Sequence, residues 1–99
     1  MPPIQQRVET RDTVAWSAKP LASEIGGEVV LMNMERGYYY SLDDIGSEIW
    51  RSLQLPVSVA SLCQSLAAKY HTELATVTAD VLLLLNKLLE HELIRVVEG

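Results

Sequence analysis

The sequence has a single cysteine, Cys63, among its 99 residues. One thiol excludes an internal disulfide and any metal cluster built from several cysteines. No apolar run approaches the roughly 20 residues that a membrane helix needs, since the longest such stretch is residues 81–85. The N-terminus also lacks the apolar core of a signal peptide. We therefore expect a cytoplasmic protein that has no membrane partner.

Basic residues are also few, with eight Lys and Arg against 13 Asp and Glu, and the formal charge is −5. The basic residues are scattered along the chain, whereas binding to a phosphate backbone needs them clustered. We therefore expect no nucleic-acid partner, and we expect any peptide partner to be neutral or basic. The composition, 48% hydrophobic and 21% charged, is typical of a folded chain with one modest core.

The motifs of common enzyme classes are missing. No GxGxxG, GxxxxGK[ST] or HExxH stretch is present, and His71 and His91 have no ligand-like spacing to each other or to Cys63. We interpret Cys63 as a buried structural thiol and both histidines as surface residues near helix ends. Asp43 and Asp44 could form a carboxylate pair, but a helix cap explains them better. The sequence thus predicts a protein that is not an enzyme and has no metal and no cofactor.

What the first half of the chain does contain is a series of short extended segments. Residues 1–12 are polar and aperiodic, and we predict a flexible N-terminal arm ahead of one domain over residues 13–99. Beyond the arm, apolar stretches are separated by turn residues, of which Gly37 can take the positive φ of a hairpin bulge. Strands are predicted at residues 13–16, 21–25, 28–34 and 38–42.

The chain then turns into a helix, predicted over residues 44–53. Asp43 is its predicted N-cap, because an Asp carboxylate can accept a backbone N–H of the first turn. Gly46 inside this helix costs on the order of 1 kcal/mol against Ala, unless a neighbouring group needs the space. The residues assigned to the core here are Leu42, Ile45, Ile49, Trp50 and Leu53.

Two more helices and a short tail complete the pattern. The second helix begins after Ser58, a suitable N-cap, and the third spans about residues 73–91 with a broad apolar arc. Leu83 falls outside that arc, and residues 93–97 form an extended tail or wing strand. The second helix carries Val59, Leu62, Leu66 and Tyr70 on one apolar face, and the third carries Leu74, Val77, Val81, Leu82, Leu84, Leu85, Leu88 and Leu89.

Three motifs occur in a fixed order. The strand and first helix fit Y-Y-x-L-[N/D] followed by G-x-x-I-W, the second helix fits V-x-x-L-x-x-x-L-A-x-x-Y, and the third fits D-V-x-x-[F/L]-L-x-x-L-x-x-x-x-L-[IL]. In this order they resemble the PqqD-like family of RiPP recognition elements, which serve ribosomally made, modified peptides. The resemblance is to the stand-alone members of lasso-peptide biosynthesis; one departure is Glu92, where the family usually has Gly. The matching residues are Tyr39, Tyr40, Leu42, Asp43, Gly46, Ile49, Trp50, Val59, Leu62, Leu66, Ala67, Tyr70, Asp80, Val81, Leu84, Leu85, Leu88, Leu93 and Ile94.

The resemblance implies a winged-helix-like α+β fold, a three-stranded antiparallel sheet followed by three helices. It implies that the leader segment of a precursor peptide adds as a strand to the third strand and lies against the third helix. It also implies that the domain presents the precursor to a leader peptidase and a macrocycle-forming synthetase. The peptide-binding residues implied on this chain are Tyr38, Tyr39, Tyr40, Ser41 and Leu42 on the strand and Asp80, Val81, Leu83, Leu84 and Lys87 on the helix.

Alternatives stay open at this point. The chain could instead be a PqqD-type peptide carrier for a radical enzyme. A winged-helix DNA-binding regulator is a third hypothesis, against which the acidic charge and the lack of a basic recognition helix count. Under the peptide-binding hypothesis Leu83 faces the groove. Under the alternative it is a single exposed leucine that needs no functional explanation.

Overall fold

A computed structural model describes residues 7–18, 20–35 and 37–97. The predicted α+β class is confirmed. The first and third helices begin and end within one residue of their predicted bounds, and the second begins after Ser58 as predicted. The described helices are α1 (Asp44–Ser52), α2 (Val59–Tyr70) and α3 (Leu74–Glu90). The described strands are β1 (Thr13–Trp16), β2 (Pro20–Ile25), β3 (Glu28–Asn33), β4 (Tyr38–Ser41), β5 (Val57–Ser58) and β6 (Ile94–Val97).

The strands form two antiparallel sheets of three strands each, where a single sheet was predicted. One sheet has the order β2-β3-β4, which contains the predicted hairpin, and the other has the order β5-β1-β6. The second sheet exists because β1 pairs with β6 at the far end of the chain, from Thr13 opposite Val97 to Trp16 opposite Ile94. Local patterns indicate strands but not distant partners, so this pairing could not be read from the sequence. The winged-helix-like description stays a prediction.

The folded region begins earlier than predicted. Val8 is buried in the core, and its N–H donates to Asn86 Oδ1 at 2.8 Å while Asn86 Nδ2 donates to the Val8 carbonyl at 3.3 Å. The carbonyl of Asp12 accepts the N–H of Val59 at 2.9 Å. The part of the predicted arm from Val8 to Asp12 therefore belongs to the domain; the first six residues lie outside the described structure.

A tight connection joins β4 to α1. Asp43 caps the helix as predicted, with Oδ1 accepting the Gly46 N–H at 2.7 Å. A Cβ at Gly46 would lie 3.1 Å from Asp43 Oδ1 and 3.3 Å from Leu42 Cβ, so the glycine leaves room for the cap. The buried hydroxyl of Ser47 accepts the N–H of Val29 at 2.8 Å, which ties the first turn of α1 to β3.

The core lies between the sheets and the helices. Cys63 is buried there, as predicted. Three residues assigned to apolar faces are instead exposed, namely Ile45 (47%), Tyr70 (42%) and Leu74 (47%). All three lie in the first or last turn of a helix, where the apolar face runs past the neighbouring elements that would cover it. The buried apolar residues are Val8, Val14, Ala15, Val29, Leu31, Leu42, Ile49, Trp50, Leu53, Val59, Leu62, Cys63, Leu66, Val81, Leu85, Leu88, Leu93 and Ile94.

Candidate functional site

β4 is an outer strand that pairs with β3 and, among the described residues, with no other strand. The N–H of Leu42 donates to the carbonyl of Val29 on β3 at 2.9 Å. Hydrogen-bonded positions alternate along an antiparallel ladder, so Tyr40 also bonds toward β3. Tyr39 and Ser41 therefore direct their backbone groups away from the sheet. Two N–H and two C=O groups stand at this open edge.

The opposite outer strand, β2, is built differently. It begins with Pro20, which has no backbone N–H to offer. Glu24 is held by Arg51 through a bond of 2.9 Å from Nε and one of 3.0 Å from Nη2, and Nη2 also reaches the carbonyl of Gly27 at 3.0 Å. Proline and charged side chains are common means by which sheets protect an edge against further pairing. The strand Tyr38–Ser41 contains neither, so β4 is the unprotected edge.

A groove of about 460 Å³ lies beside this open edge. β4 and the start of α1 form one wall and α3 forms the other, while the end of α2 closes the groove between them. Its volume falls within the range of about 300–1,000 Å³ that is usual for binding sites. The residues that line the groove are Tyr40, Ser41, Leu42, Asp43, Ile45, Gly46, Ile49, Leu66, Tyr70, Thr72, Val77, Asp80, Val81, Leu84 and Lys87.

The structure brings most of the sequence-predicted site residues together. Tyr39 turns its side chain to the far face of the sheet, where 71% of it is exposed, although its backbone belongs to the open edge. Leu83 is 67% exposed and stands next to the groove wall, outside its lining. The side chain of Tyr38 lies outside the described structure. The predicted residues that line the groove are Tyr40, Ser41, Leu42, Asp80, Val81, Leu84 and Lys87.

The same alternation along β4 that orients its backbone also separates its side chains. Tyr40 is half-buried and packs against the core, with its ring centroid 5.5 Å from that of His91. Leu42 is buried. Tyr40 and Leu42 therefore lie on the inner face of the strand and Tyr39 on its outer face. His91 is half-buried against Tyr40, so the surface position predicted for this histidine is wrong.

Sequence reasoning missed eight of the lining residues. Two of them are Ile45, which was assigned to the core, and Tyr70, which was assigned to an apolar helix face. Helical spacing places apolar residues on one face, but it cannot tell whether the protein interior or an open groove covers that face. Ile45 lies in the first turn of α1 and Tyr70 in the last turn of α2, and both face the groove. No pattern in the sequence identifies these two residues as part of the groove, because their place in it depends on the packing of α1, α2 and α3.

A polar network holds Tyr70 in place at the groove. Its hydroxyl donates to Glu48 Oε1, and Lys69 Nζ lies 2.7 Å from Glu48 Oε2. The hydrogen bonds from Lys69 and then from Tyr70 lower the pKa of the Glu48 carboxyl below its ordinary value. The same bond to Glu48 raises the pKa of the Tyr70 hydroxyl. At neutral pH the carboxylate is thus charged, the phenol is neutral, and the tyrosine ring is fixed beside the groove.

The described residues hold no group of three or more His, Cys, Asp and Glu side chains that could bind a metal ion. No helix of this part of the chain is both long and apolar enough to cross a membrane. The described contacts thus offer an edge and a groove as the features available for binding.

An open strand edge beside an apolar groove is the arrangement to which peptides add as a further strand. The family model described as coenzyme PQQ synthesis protein D (PqqD) matches residues 28–94, which is more than half of the chain. The chain belongs to the PqqD family, as its resemblance at the sequence level predicted.

Among solved structures, the chain is similar to one described as TbiB1 in complex with the TbiA(beta) leader peptide. The TM-score is 0.76 and the identity 28%, and the match covers 86% of this chain and 99% of that one. No significant match was found among curated proteins. The similar structure contains a domain of this fold together with a leader peptide.

Proposed function

We propose that the chain binds the leader segment of a ribosomally made precursor peptide as a strand added to the open edge of β4. The observation that carries the proposal is the position of that edge, which is unprotected and borders an apolar groove. In this arrangement the leader backbone pairs with Tyr39 and Ser41. Side chains on one face of the leader enter the groove between β4 and α3. The complex of TbiB1 with a leader peptide supports the choice of ligand.

The free energies indicate that leader side chains buried in the groove, rather than the backbone hydrogen bonds to β4, are the source of specificity. Two open residues supply four backbone hydrogen bonds, each contributing about 0.5–1.5 kcal/mol. A buried aromatic or aliphatic side chain adds about 2 kcal/mol, while ordering a disordered leader costs about 2–5 kcal/mol or more. A micromolar complex needs about −8 kcal/mol. The ladder alone does not reach that value, so two or more leader side chains must fill the groove.

The lasso-type resemblance extends this proposal to the partners. We expect the domain to hold the precursor while a leader peptidase and a macrocycle-forming synthetase act on it. A second candidate, favoured by the family match itself, is a carrier that delivers a peptide to a radical enzyme. The two are distinguished by which purified enzyme acts faster on its precursor when this chain is added.

Leader binding is tested by titrating fluorescein-labelled TbiA(beta) leader peptide with the chain, and by panning a displayed random dodecapeptide library on it. We expect saturable one-to-one binding, and an enriched peptide whose affinity depends on its backbone N–H groups with a period of two residues. That period is measured by N-methylating each residue in turn, which removes one N–H and keeps the side chain. Binding without the period contradicts strand addition, and absence of both leader and library binding at tens of micromolar contradicts peptide binding.

A further inference from the structure

The groove has two distinguishable ends because β4 and α3 run in opposite directions along it. Tyr40 on β4 lies near His91, which caps the C-terminus of α3. Asn33, which pairs with Tyr38 at the start of β4, donates from Nδ2 to the His91 carbonyl at 3.3 Å. The chain thus runs away from the end of α3 as it passes along β4 to Asp43, another residue of the groove lining. A guest strand that lies along β4 therefore passes the late turns of α3 at one end and its early turns at the other.

The charged residues that line the groove differ in sign between these two ends. Lys87 lies about one turn before His91 and therefore toward the Tyr40 end, whereas Asp80 lies about two turns further from His91 and therefore toward the other end. The two α3 residues are seven positions apart, which corresponds to about 10.5 Å along a helix axis. Both are exposed, and neither makes an ion pair with another described residue. Asp43 accepts the N–H of Gly46 and adds a second negative charge at the Asp80 end.

Two other charged residues of α1 are already paired. Glu48 on α1 is bound by Lys69 and Tyr70, and Arg51 on the same helix is bound by Glu24. Asp44, exposed in the first turn of α1, has the same sign as the nearby Asp43. Lys87 is thus an available positive charge at one end, and the available charges at the other end are negative.

We infer that the groove selects a guest strand by the order of its charges, with an acidic side chain beside Lys87 and a basic one beside Asp80 and Asp43. The inference rests on the proposed function and names the class of peptide that the site takes. A seated guest removes water from these groups, and an opposite charge on the guest offsets that loss. The two guest charges lie two to four residues apart, because extended chain advances about 3.3 Å per residue.

The order of the charges also reports the direction of the guest. A strand parallel to β4 meets Lys87 first and carries its acidic residue nearer the N-terminus, whereas an antiparallel strand carries its basic residue first. The overall charge of −5 predicts a neutral or basic peptide. Because the groove carries charges of both signs, we expect more specifically a peptide in which an acidic and a basic residue are separated along the strand.

The test pans the same displayed dodecapeptide library on the wild type, Lys87→Glu, Asp80→Lys and a control, Arg11→Glu. Arg11 is exposed and pairs with Glu9 at 3.0 Å, and it lies outside the groove lining. Arg11→Glu changes the net charge by the same amount as Lys87→Glu, but away from the groove. We expect the wild type to enrich an apolar alternating peptide with one acidic and one basic position. In the peptides enriched by Lys87→Glu the acidic position should become basic, and in those enriched by Asp80→Lys the basic position should become acidic. The Arg11→Glu control should change neither position.

The enriched wild-type peptide then gives the size of the effect. Exposed pairs are weak, so we expect Lys87→Glu to weaken binding about two- to fivefold. The affinity should return in a peptide whose acidic residue is changed to Lys. The difference should disappear at molar salt, where the Debye length is about 3 Å. Lys87→Gln should give a smaller loss, and circular dichroism checks that each variant keeps its helices.

Identical enriched sequences from all four proteins would overturn the inference while leaving strand addition intact. An equal shift in the Arg11→Glu control would also overturn it, because net charge rather than the groove would then set the preference. Failure of the wild type to enrich any extended peptide would overturn the proposed function and this inference together.

Discussion

The open edge of β4 makes a sharp prediction about proline. In Ser41→Pro the lost N–H is one that faces away from β3, so no bond of the sheet is removed, and proline is tolerated at such edge positions. A guest strand loses one hydrogen bond, worth about 0.5–1.5 kcal/mol, and also meets the proline ring where its own backbone should lie. We expect the Kd for an enriched peptide to rise at least about tenfold, or 1.4 kcal/mol.

Two further proline variants separate the binding effect from general damage. In Tyr40→Pro the lost N–H is one that bonds toward β3, so this variant should unfold more easily. Ala22→Pro places the same residue on the other outer strand. The two-residue turn at Gly26 and Gly27, both with positive φ, makes Ile25 and Glu28 a bonded pair, and alternation then turns the N–H of Ala22 outward as well.

The assay is fluorescence polarisation with the labelled peptide, alongside thermal unfolding of each variant. We expect Ser41→Pro to lose binding with little change in Tm, Tyr40→Pro to lose Tm, and Ala22→Pro to keep both. Full binding by Ser41→Pro would refute the assignment of the guest to this edge. A loss of binding in Ala22→Pro that matches that of Ser41→Pro would show that the guest does not distinguish the two edges.

Four other substitutions test local features. Leu83→Asp should weaken peptide binding more than it lowers Tm, since Leu83 is exposed beside the groove. Gly46→Ala should lower stability by up to about 2 kcal/mol, because crowding at the cap, at about 1–3 kcal/mol, exceeds the helix-propensity gain of about 1 kcal/mol. Glu92→Gly should stabilise by about 0.5–1 kcal/mol, because Glu92 has a φ of +63°, which favours glycine. Glu48→Gln should reduce the loss of stability at acid pH. The pKa of Glu48 is lowered in the folded state, so the stability that its carboxylate contributes is full above pH 4.5, its ordinary pKa. That stability is lost as the pH falls through the folded-state pKa.

Each of these has a measurement, and Leu83→Asp also has a matched control. Leu74→Asp changes another exposed leucine of α3, outside the groove lining, and should leave peptide affinity unchanged; equal loss of affinity would remove any special role for Leu83. Urea unfolding reads the Gly46 and Glu92 variants, and a more stable Gly46→Ala would show that the cap has room for a Cβ. Unfolding as a function of pH reads Glu48→Gln, and an acid limb as steep as that of the wild type would mean that its ion pair with Lys69 adds no stability.

The end of α3 explains the left-handed backbone of Glu92. The N–H of Glu92 bonds to the carbonyl of Leu89 and that of Leu93 to the carbonyl of Leu88, both at 2.9 Å. This pair of bonds closes a helix with a left-handed residue at Glu92. The helix therefore ends on a left-handed residue that carries a side chain, and this conformation strains the backbone of any residue other than glycine.

The sequence by itself determined the local structure. The N-caps at Asp43 and Ser58, the helix bounds and the hairpin that leads into α1 all depend on residues within a turn or two of each other, so nearby side chains and φ preferences are sufficient. The burial of Cys63 follows from the residue type, because a free cysteine behaves as a small hydrophobe. The ordered motifs also identified the family, which spacing alone could not do.

Only the tertiary structure decided what depends on distant neighbours. The pairing of β1 with β6 and the burial of Val8 against Asn86 join opposite ends of the chain. Ile45 and Tyr70 line a groove rather than the core, because periodicity defines a face but not what covers it. The open edge has the same origin: aromatic residues indicated a strand at 38–42, but the ladder to β3 decided that Tyr39 and Ser41 face outward.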